Sequence, residues 1–204
     1  MAAEALDVRA RRTRDALREA VLRLASELPV EQIAVADLVR TAKINRTTFY
    51  KHAASPAEVL EQVLYADLDR LRANWLTSVL DEHLPADQIW ERSTGELAAH
   101  LERFDGVYTT GLVGHRSAVL HRLLTDHFAA SARALLERAP ELLPDGAGSP
   151  QWRATAYSAF IAHGQTGIVE AWLTESRPRD RHLLITAVAG MLPTWLTATT
   201  PPAR

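Results

Sequence analysis

Cysteine is absent from this chain of 204 residues, which excludes a disulfide framework, a thiol nucleophile and a cysteine-ligated zinc site. Lysine is nearly absent, because it occurs only at Lys43 and Lys51. The sequence also lacks a run of about 18 apolar residues, so no membrane span is predicted. Its first ten residues include acidic side chains and no apolar run, which is unlike a signal peptide. We therefore expect a cytoplasmic protein that makes no use of a membrane.

Apolar residues recur with the period of an α-helix along most of the chain, and no clear period-2 pattern indicates a strand. Pro193 should kink the last helix or remove one of its hydrogen bonds, and Ser55-Pro56-Ala57-Glu58 has the residues of a capping box. The sequence therefore predicts an all-α protein of nine helices, at about residues 9–28, two short helices within 33–53, then 56–80, 87–103, a short segment near 105–114, 117–138, 151–175 and 180–198.

The most informative segment is residues 33–53, which read IAVADLVRTAKINRTTFYKHA. Their spacing predicts two short helices joined by a tight turn. The second helix is expected to run from Arg46 to His52, with Asn45 as its N-cap and Phe49 as its inward anchor. That arrangement is a helix-turn-helix, whose second helix enters the major groove of DNA. An ordinary exposed helix with mixed polar residues is the alternative. The candidate DNA-contacting residues, which can donate to phosphates or base edges, are Lys43, Asn45, Arg46, Thr47, Thr48, Tyr50, Lys51 and His52.

This segment resembles the TetR family of transcriptional regulators. The family pattern is an apolar pair, an alanine, a turn and then Arg-x-Thr-Phe-Tyr-basic, and here those positions are Leu38-Val39, Ala42 and Arg46–Lys51. Tight matching covers about residues 10–65. Lys43 stands where the family usually has glycine, so the turn must accommodate a non-glycine residue in a left-handed conformation. Ala34 replaces the usual Ser or Thr cap of the first short helix, so that helix start is expected to be weaker.

The resemblance implies a three-helix DNA-binding domain at residues 1–54, followed at 55–204 by a bundle of about six helices that binds a ligand and dimerises. It implies a homodimeric repressor that binds a palindromic double-stranded operator and is released by a small apolar or amphipathic effector. In the family the final two helices pair across the dimer. The candidates for that interface, with intrachain core as the alternative, are Trp172, Leu173, Leu184, Val188 and Leu192.

Aromatic and polar residues recur in the C-terminal part, and ligand pockets are mostly apolar with a few placed polar groups. In similar proteins the cavity lies among the fourth to eighth helices. Plain core is the alternative for each residue, and His163 is the leading polar candidate because Gly164 makes room beside it. The candidate ligand-binding residues are Trp75, Trp90, His100, Phe104, Tyr108, His121, Phe128, Tyr157, Phe160 and His163.

Charge is distributed unevenly along the chain. Residues 1–55 contain ten Lys or Arg and seven Asp or Glu, whereas residues 56–204 contain thirteen and eighteen. A basic N-terminal part attached to an acidic remainder suits a protein that binds DNA at one end only.

Two other functions stay open from the sequence. One is an activator or DNA-binding regulator without a small ligand, and the other is a helical enzyme that uses His100 or His163 as a general base. We do not expect an enzyme, because the chain has no Gly-x-Ser-x-Gly elbow, P-loop or dinucleotide fingerprint. No cofactor or metal site is predicted, since His115, His121 and His127 are spaced six residues apart and turn to different helix faces.

Overall fold

The computed structural model describes residues 2–81 and 85–197, which form α-helices, two single turns of 3₁₀ helix and no β-strand. The predicted all-α class is confirmed. None of the helices in these two ranges is both long and apolar enough to cross a membrane. The ten α-helices are α1 (Ala2–Ala25), α2 (Val35–Thr41), α3 (Arg46–Phe49), α4 (Pro56–Asp81), α5 (Ala86–Arg103), α6 (Asp105–Leu112), α7 (Ala118–Arg138), α8 (Pro150–Leu173), α9 (Arg181–Met191) and α10 (Thr194–Thr197).

The chain divides into two compact units, here called the head unit and the body unit. The head unit comprises Met1–Ala66 and Phe104–Leu120, and the body unit comprises Asp67–Arg103 and His121–Arg204. Helices α4 and α7 each contribute residues to both units. The proposed DNA-binding domain at residues 1–54 falls within the head unit, to which α6 also belongs.

The head unit is built around the apolar faces of α1, α2 and α3. Leu17 and Val21 on α1, Leu38 on α2 and Phe49 on α3 are all at most 2% exposed. Phe49 is fully buried, as its predicted role as inward anchor requires. Burying each of these side chains stabilises the fold by about 1.5–3 kcal/mol, so the two short helices are held by tertiary packing rather than by their own propensity.

Helix caps account for several boundaries in the head unit. The Asn45 side chain accepts a hydrogen bond from the Thr48 amide at 2.7 Å, which confirms the predicted N-cap of α3. At the start of α4 the Ser55 hydroxyl accepts from the Glu58 amide at 3.2 Å, and the Glu58 carboxylate accepts from the Ala54 amide at 2.6 Å. These reciprocal bonds satisfy amides that have no partner inside the helix. Helix α2, by contrast, has no side-chain cap.

The body unit has its own aromatic and aliphatic core. The rings of Trp75 on α4 and Trp90 on α5 lie 5.6 Å apart and pack with Ile89, Leu135 and Ile161. Helix α9 packs against both α5 and α8. The buried residues of this core come mainly from five helices, α4, α5, α7, α8 and α10. A gap in their packing forms the cavity described below.

Three predicted elements differ from those observed. The first helix was expected at about residues 9–28, but α1 spans Ala2–Ala25. The second helix of the motif was expected to continue to His52, but α3 ends at Phe49 and the following residues form a turn. The last long helix was expected to run to about residue 198 with a kink at Pro193. Instead α9 ends at Met191 and α10 begins at Thr194, because proline cannot donate the helical hydrogen bond and its ring clashes with the preceding turn. Residue 198 lies outside the described residues.

Lys43 occupies the left-handed position that ends α2. Its φ is +54°, and the Ile44 amide donates to the Val39 carbonyl at 3.0 Å. This is the bond pattern of a Schellman motif, in which glycine is the usual residue at the left-handed position. The predicted left-handed turn is confirmed, and the lysine side chain is held there at a conformational cost.

We predict that Lys43→Gly is more stable than Lys43→Ala by about 1 kcal/mol, because glycine enters the left-handed region without a Cβ clash. Both variants remove the ammonium group, so the comparison isolates the backbone. Urea unfolding measured on the two proteins in parallel checks this. An alanine variant as stable as the glycine variant would show that the turn carries no strain.

Candidate nucleic-acid interface and internal cavity

Residues 35–52, here called the α2–α3 segment, comprise α2, α3 and the turn that follows α3. This segment presents a row of hydrogen-bond donors on the surface of the head unit. Phe49 is fully buried beneath them, and its ring meets that of Tyr50 edge-on at 5.1 Å. The Lys51 amide donates to the Thr48 carbonyl at 3.2 Å, and the turn continues from α3 through the following residues. The predicted DNA-contacting residues that are exposed are Lys43, Asn45, Arg46, Thr47, Tyr50 and Lys51, and those that are half-buried are Thr48 and His52.

Basic residues of α1 lie beside the end of this segment. Arg14, Arg18 and His52 border one shallow surface cleft, together with Asp15. Arg14 is exposed and Arg18 is half-buried. The basic residues of α1 therefore extend the basic surface of the α2–α3 segment. Together these cations can bind the phosphate backbone of DNA.

A cavity of about 80 Å³ lies inside the body unit. Ligand sites commonly measure about 300–1,000 Å³, so an occupant of this cavity is either small or displaces side chains. The apolar lining residues are Leu71, Trp75, Trp90, Leu97, Phe128, Ala132, Ile161, Val169, Val188 and Leu196. The polar lining residues are Arg72, Ser93, Thr94, His127, Ser131 and Gln165.

Three of the ten predicted ligand-binding residues line this cavity: Trp75, Trp90 and Phe128. Two others, Phe104 and Tyr108, are buried in the head unit instead. The remaining five lie elsewhere in the body unit: His100 is buried outside the cavity, His121 contacts Glu170 at 2.9 Å, Tyr157 packs on Trp195, and Phe160 and His163 are exposed.

Sequence reasoning missed the polar members of the lining. Leu124, His127, Phe128 and Ser131 follow the spacing i, i+3, i+4, i+7 along α7 and are all buried. Two polar residues on an otherwise apolar helical face are a signal that this face meets a polar or hollow region. Arg72 follows Leu71 on α4. It could not be recognised as a lining residue from the sequence, because its neighbours on the surface are also charged.

Two buried polar atoms of the lining have no hydrogen-bond partner in the part of the chain that the structure describes. They are Nε1 of Trp75 and Nδ1 of His127, on side chains that are 9% and 5% exposed. Burial, together with a smaller contribution from the charge of Arg72, lowers the pKa of His127 to about 3. An unsatisfied buried donor or acceptor costs about 1–3 kcal/mol, so both atoms favour an occupant that can pair with them.

A separate charge cluster lies where α4 and α5 meet in the body unit. Asp67 is buried and accepts from Arg70 at 2.8 Å and also from Arg103. His100 Nδ1 lies 3.9 Å from the same carboxylate. Burial lowers the pKa of His100 to about 4, although Asp67 acts in the opposite direction. A carboxylate shared by two guanidiniums is a structural ion pair, and the neutral imidazole beside it is a poor base.

The predicted dimer-interface residues are mostly packed inside the single chain. Trp172, Leu173, Leu184 and Val188 are 4%, 2%, 0% and 3% exposed, and the Trp172 Nε1 donates to the Asp180 carbonyl at 2.9 Å. Leu192 is half-buried. The burial of the first four agrees with the alternative of intrachain core that the sequence left open.

No protein-family profile matches the chain, and no curated protein matches it. A solved structure described as the dihydroxyacetone kinase operon activator DhaS is similar at 16% sequence identity, with 88% of this chain and 93% of that chain covered and a TM-score of 0.47. A likeness of this degree carries no conclusion about family or function.

Stability should fall as the pH drops from 6.5 towards 5, because His100 and His127 are held neutral in the folded protein. Both folded-state pKa values lie below the ordinary value of 6.5, so the unfolded chain binds more protons in that window. The full contribution of each histidine to the free energy of unfolding is present above pH 6.5. By pH 5 that contribution has fallen by on the order of 2 kcal/mol for each histidine. Urea unfolding at pH 7 and pH 5 measures the difference.

The variant His127→Gln should lose about half of that pH dependence, whatever its stability at pH 7. His182→Gln is the matched control, because His182 is exposed and its removal should leave the pH dependence as in the wild type. Equal pH dependence in all three proteins would mean that His127 does not resist protonation in the folded protein.

Proposed function

We propose that the protein is a DNA-binding transcriptional regulator of the TetR kind. The observation that carries this proposal is the α2–α3 segment, where one buried anchor, Phe49, supports a row of exposed donors that includes Arg46, Thr47, Tyr50 and Lys51. A short helix with such a surface fits the major groove, and the arginines of α1 extend the contact to phosphates. Thr47 and Tyr50 are the proposed base-proximal residues, and Lys51 is the proposed phosphate contact.

Genomic fragments recovered with the purified protein supply the operator for the test. Lys51→Ala should weaken binding to all sequences similarly and reduce the slope of log affinity against log salt by about 1, because one phosphate contact is lost. Thr47→Ala and Tyr50→Ala should weaken operator binding more than binding to random DNA. Fluorescence anisotropy at several salt concentrations measures both effects.

Arg133→Ala is the matched control, because Arg133 is exposed on α7 in the body unit. It removes a cation and should leave operator affinity and salt slope unchanged. If the three α2–α3 segment variants bind the operator like the wild type, the proposed recognition surface is wrong.

We further propose that the regulator is a homodimer, joined through an apolar face of α8 and α9. Phe160 and Met191 are 66% and 65% exposed in the single chain and border one groove, which Leu192 also lines. A Cβ atom added at Gly164 or Gly190 would meet nothing within 4 Å, so another helix can approach closely here. Large apolar side chains around an open small-residue surface are typical of a protein interface. Of the interface residues expected from the sequence, Leu192 and the buried Val188 line this groove.

Phe160→Glu and Met191→Glu should convert the dimer to a monomer, because each places an unpaired charge in a desolvated interface. Light scattering should give twice the 22.6 kDa chain mass for the wild type and a single chain mass for the variants. Trp152→Glu is the control, since Trp152 is 61% exposed at the start of α8 and does not border the groove. A wild-type monomer at micromolar concentration would rule out the dimer.

A small effector bound in the body-unit cavity would lower the affinity of the dimer for its operator, as an inducer does with a repressor. Effector and operator must then antagonise each other reciprocally, since each favours a different state of the dimer. The α7 helix is the proposed route. Glu31 accepts hydrogen bonds from the Ser117 hydroxyl at 3.0 Å and the Val119 amide at 2.9 Å, at the start of the helix that carries Phe128 and Ser131 into the cavity wall.

The enzyme alternative gains little support. His127 does line a cavity, but a base with a pKa near 3 takes up protons poorly at neutral pH, where general bases work best near pKa 7. His100 and His163, the bases considered from the sequence, lie outside the cavity. Burial lowers the pKa of His100 to about 4. Among the described residues that line the cavity, none is a carboxylate or a histidine-activated nucleophile. The lining therefore favours binding over catalysis.

A further inference from the structure

The lining of the body-unit cavity includes one cation and two buried ring nitrogens, from Arg72, Trp75 and His127, which are here together called the polar wall. Arg72 is a cation in the lining, and His127 and Trp75 each have a buried ring nitrogen without a hydrogen-bond partner among the described residues. No aspartate or glutamate belongs to the described lining. The other lining residues are the uncharged polar residues Ser93, Thr94, Ser131 and Gln165 and a set of aliphatic and aromatic residues, of which Trp90 and Phe128 are the largest.

The charge of Arg72 is close to this wall and only partly neutralised. Its guanidinium donates to Asp69 at 2.6 Å, but the Arg72 side chain is 28% exposed and that of Asp69 is 54% exposed, so water screens the pair. A guanidinium has five N–H donors, so donors remain for a further anion. Arg72 and His127 line the same cavity.

We propose that this cavity binds the anion of a small apolar carboxylic acid, whose carboxylate is held by Arg72, Trp75 and His127. The inference rests on the proposed function, in which this cavity is the effector site. A buried carboxylate is tolerated only when it is paired and hydrogen-bonded, and this wall supplies one cation and two donors. A cationic ligand would meet Arg72 without a compensating carboxylate.

The hydrogen-bonding capacity of the wall is that of a donor surface. The Trp75 indole N–H can only donate. Burial keeps the His127 ring neutral at pH 7, with its pKa near 3, so the ring offers one N–H. The Ser131 hydroxyl already donates to the His127 carbonyl at 2.8 Å. The cavity volume of about 80 Å³ limits the apolar part to a short chain or a single ring.

The test uses matched pairs of probes: pentanoate, hexanoate, benzoate and phenylacetate, each beside its own primary amide. Titration calorimetry and the fluorescence of the protein, which includes Trp75 and Trp90 at the cavity, report binding at pH 7 without DNA. At least one acid should bind about tenfold more tightly than its amide, since only the anion pairs with Arg72.

Three substitutions separate the contributions of the wall. Arg72→Gln should lower the affinity for the acid by about tenfold and leave the affinity for the amide unchanged. Trp75→Phe removes the indole N–H donor but keeps an aromatic ring, and it should lower the affinity for the acid and the affinity for the amide equally. Asp69→Asn removes the competing counter-ion and should tighten acid binding by roughly threefold. Arg133→Gln, on the exposed surface of α7, is the control and should bind both probes like the wild type.

The proposal is overturned if every amide binds as tightly as its acid, if no acid binds at millimolar concentration, or if Arg72→Gln binds the acid like the wild type. Because the assay contains no DNA, these results leave the proposed regulator untouched. Conversely, acid binding that obeys the pattern in a protein that recovers no DNA would remove the proposed function and keep the site.

Discussion

The burial of helix α7 is the constraint on which the rest of the structure depends, because this helix supplies core side chains to both compact units. Its first turn is fixed in the head unit, where Glu31 and Ser117 satisfy amides that the helix itself cannot pair. Each fully buried leucine on it stabilises the fold by about 2 kcal/mol. Its buried apolar residues are Leu120, Leu123, Leu124, Phe128, Ala132, Leu135 and Leu136.

Local rules were sufficient for much of the fold. Asn45, Ser55 and Ser117 mark helix starts through bonds to amides two or three residues away, and such bonds depend only on neighbouring residues. Lys43 in the turn was likewise predictable, since the bonds of the turn itself demand a positive φ. The break at Pro193 was recognised as a disturbance, but its severity was not.

The cavity could be predicted only in part, because periodicity identifies which side of a helix is buried but not what that side meets. Trp75, Trp90 and Phe128 were found as aromatic residues on buried faces. Phe104 and Tyr108 have the same local pattern, yet they pack in the head unit. A core contains a cavity where the side chains of several helices, here six, do not fill the space between them. That is a property of the tertiary packing, which neighbouring residues do not encode.

The scarcity of lysine has a consequence for how this protein can be observed. Both lysines, Lys43 and Lys51, are exposed within the α2–α3 segment, and all other side-chain cations of the Lys or Arg type are guanidiniums. Amine-directed acylation modifies the ammonium side chain of lysine and leaves guanidinium groups intact. Apart from the α-amino group, such a reagent therefore labels one surface alone. A bound partner that covers this surface would reduce the acylation of Lys43 and Lys51. The effect can be measured at each lysine separately, because no other side chain of the protein carries a lysine amine.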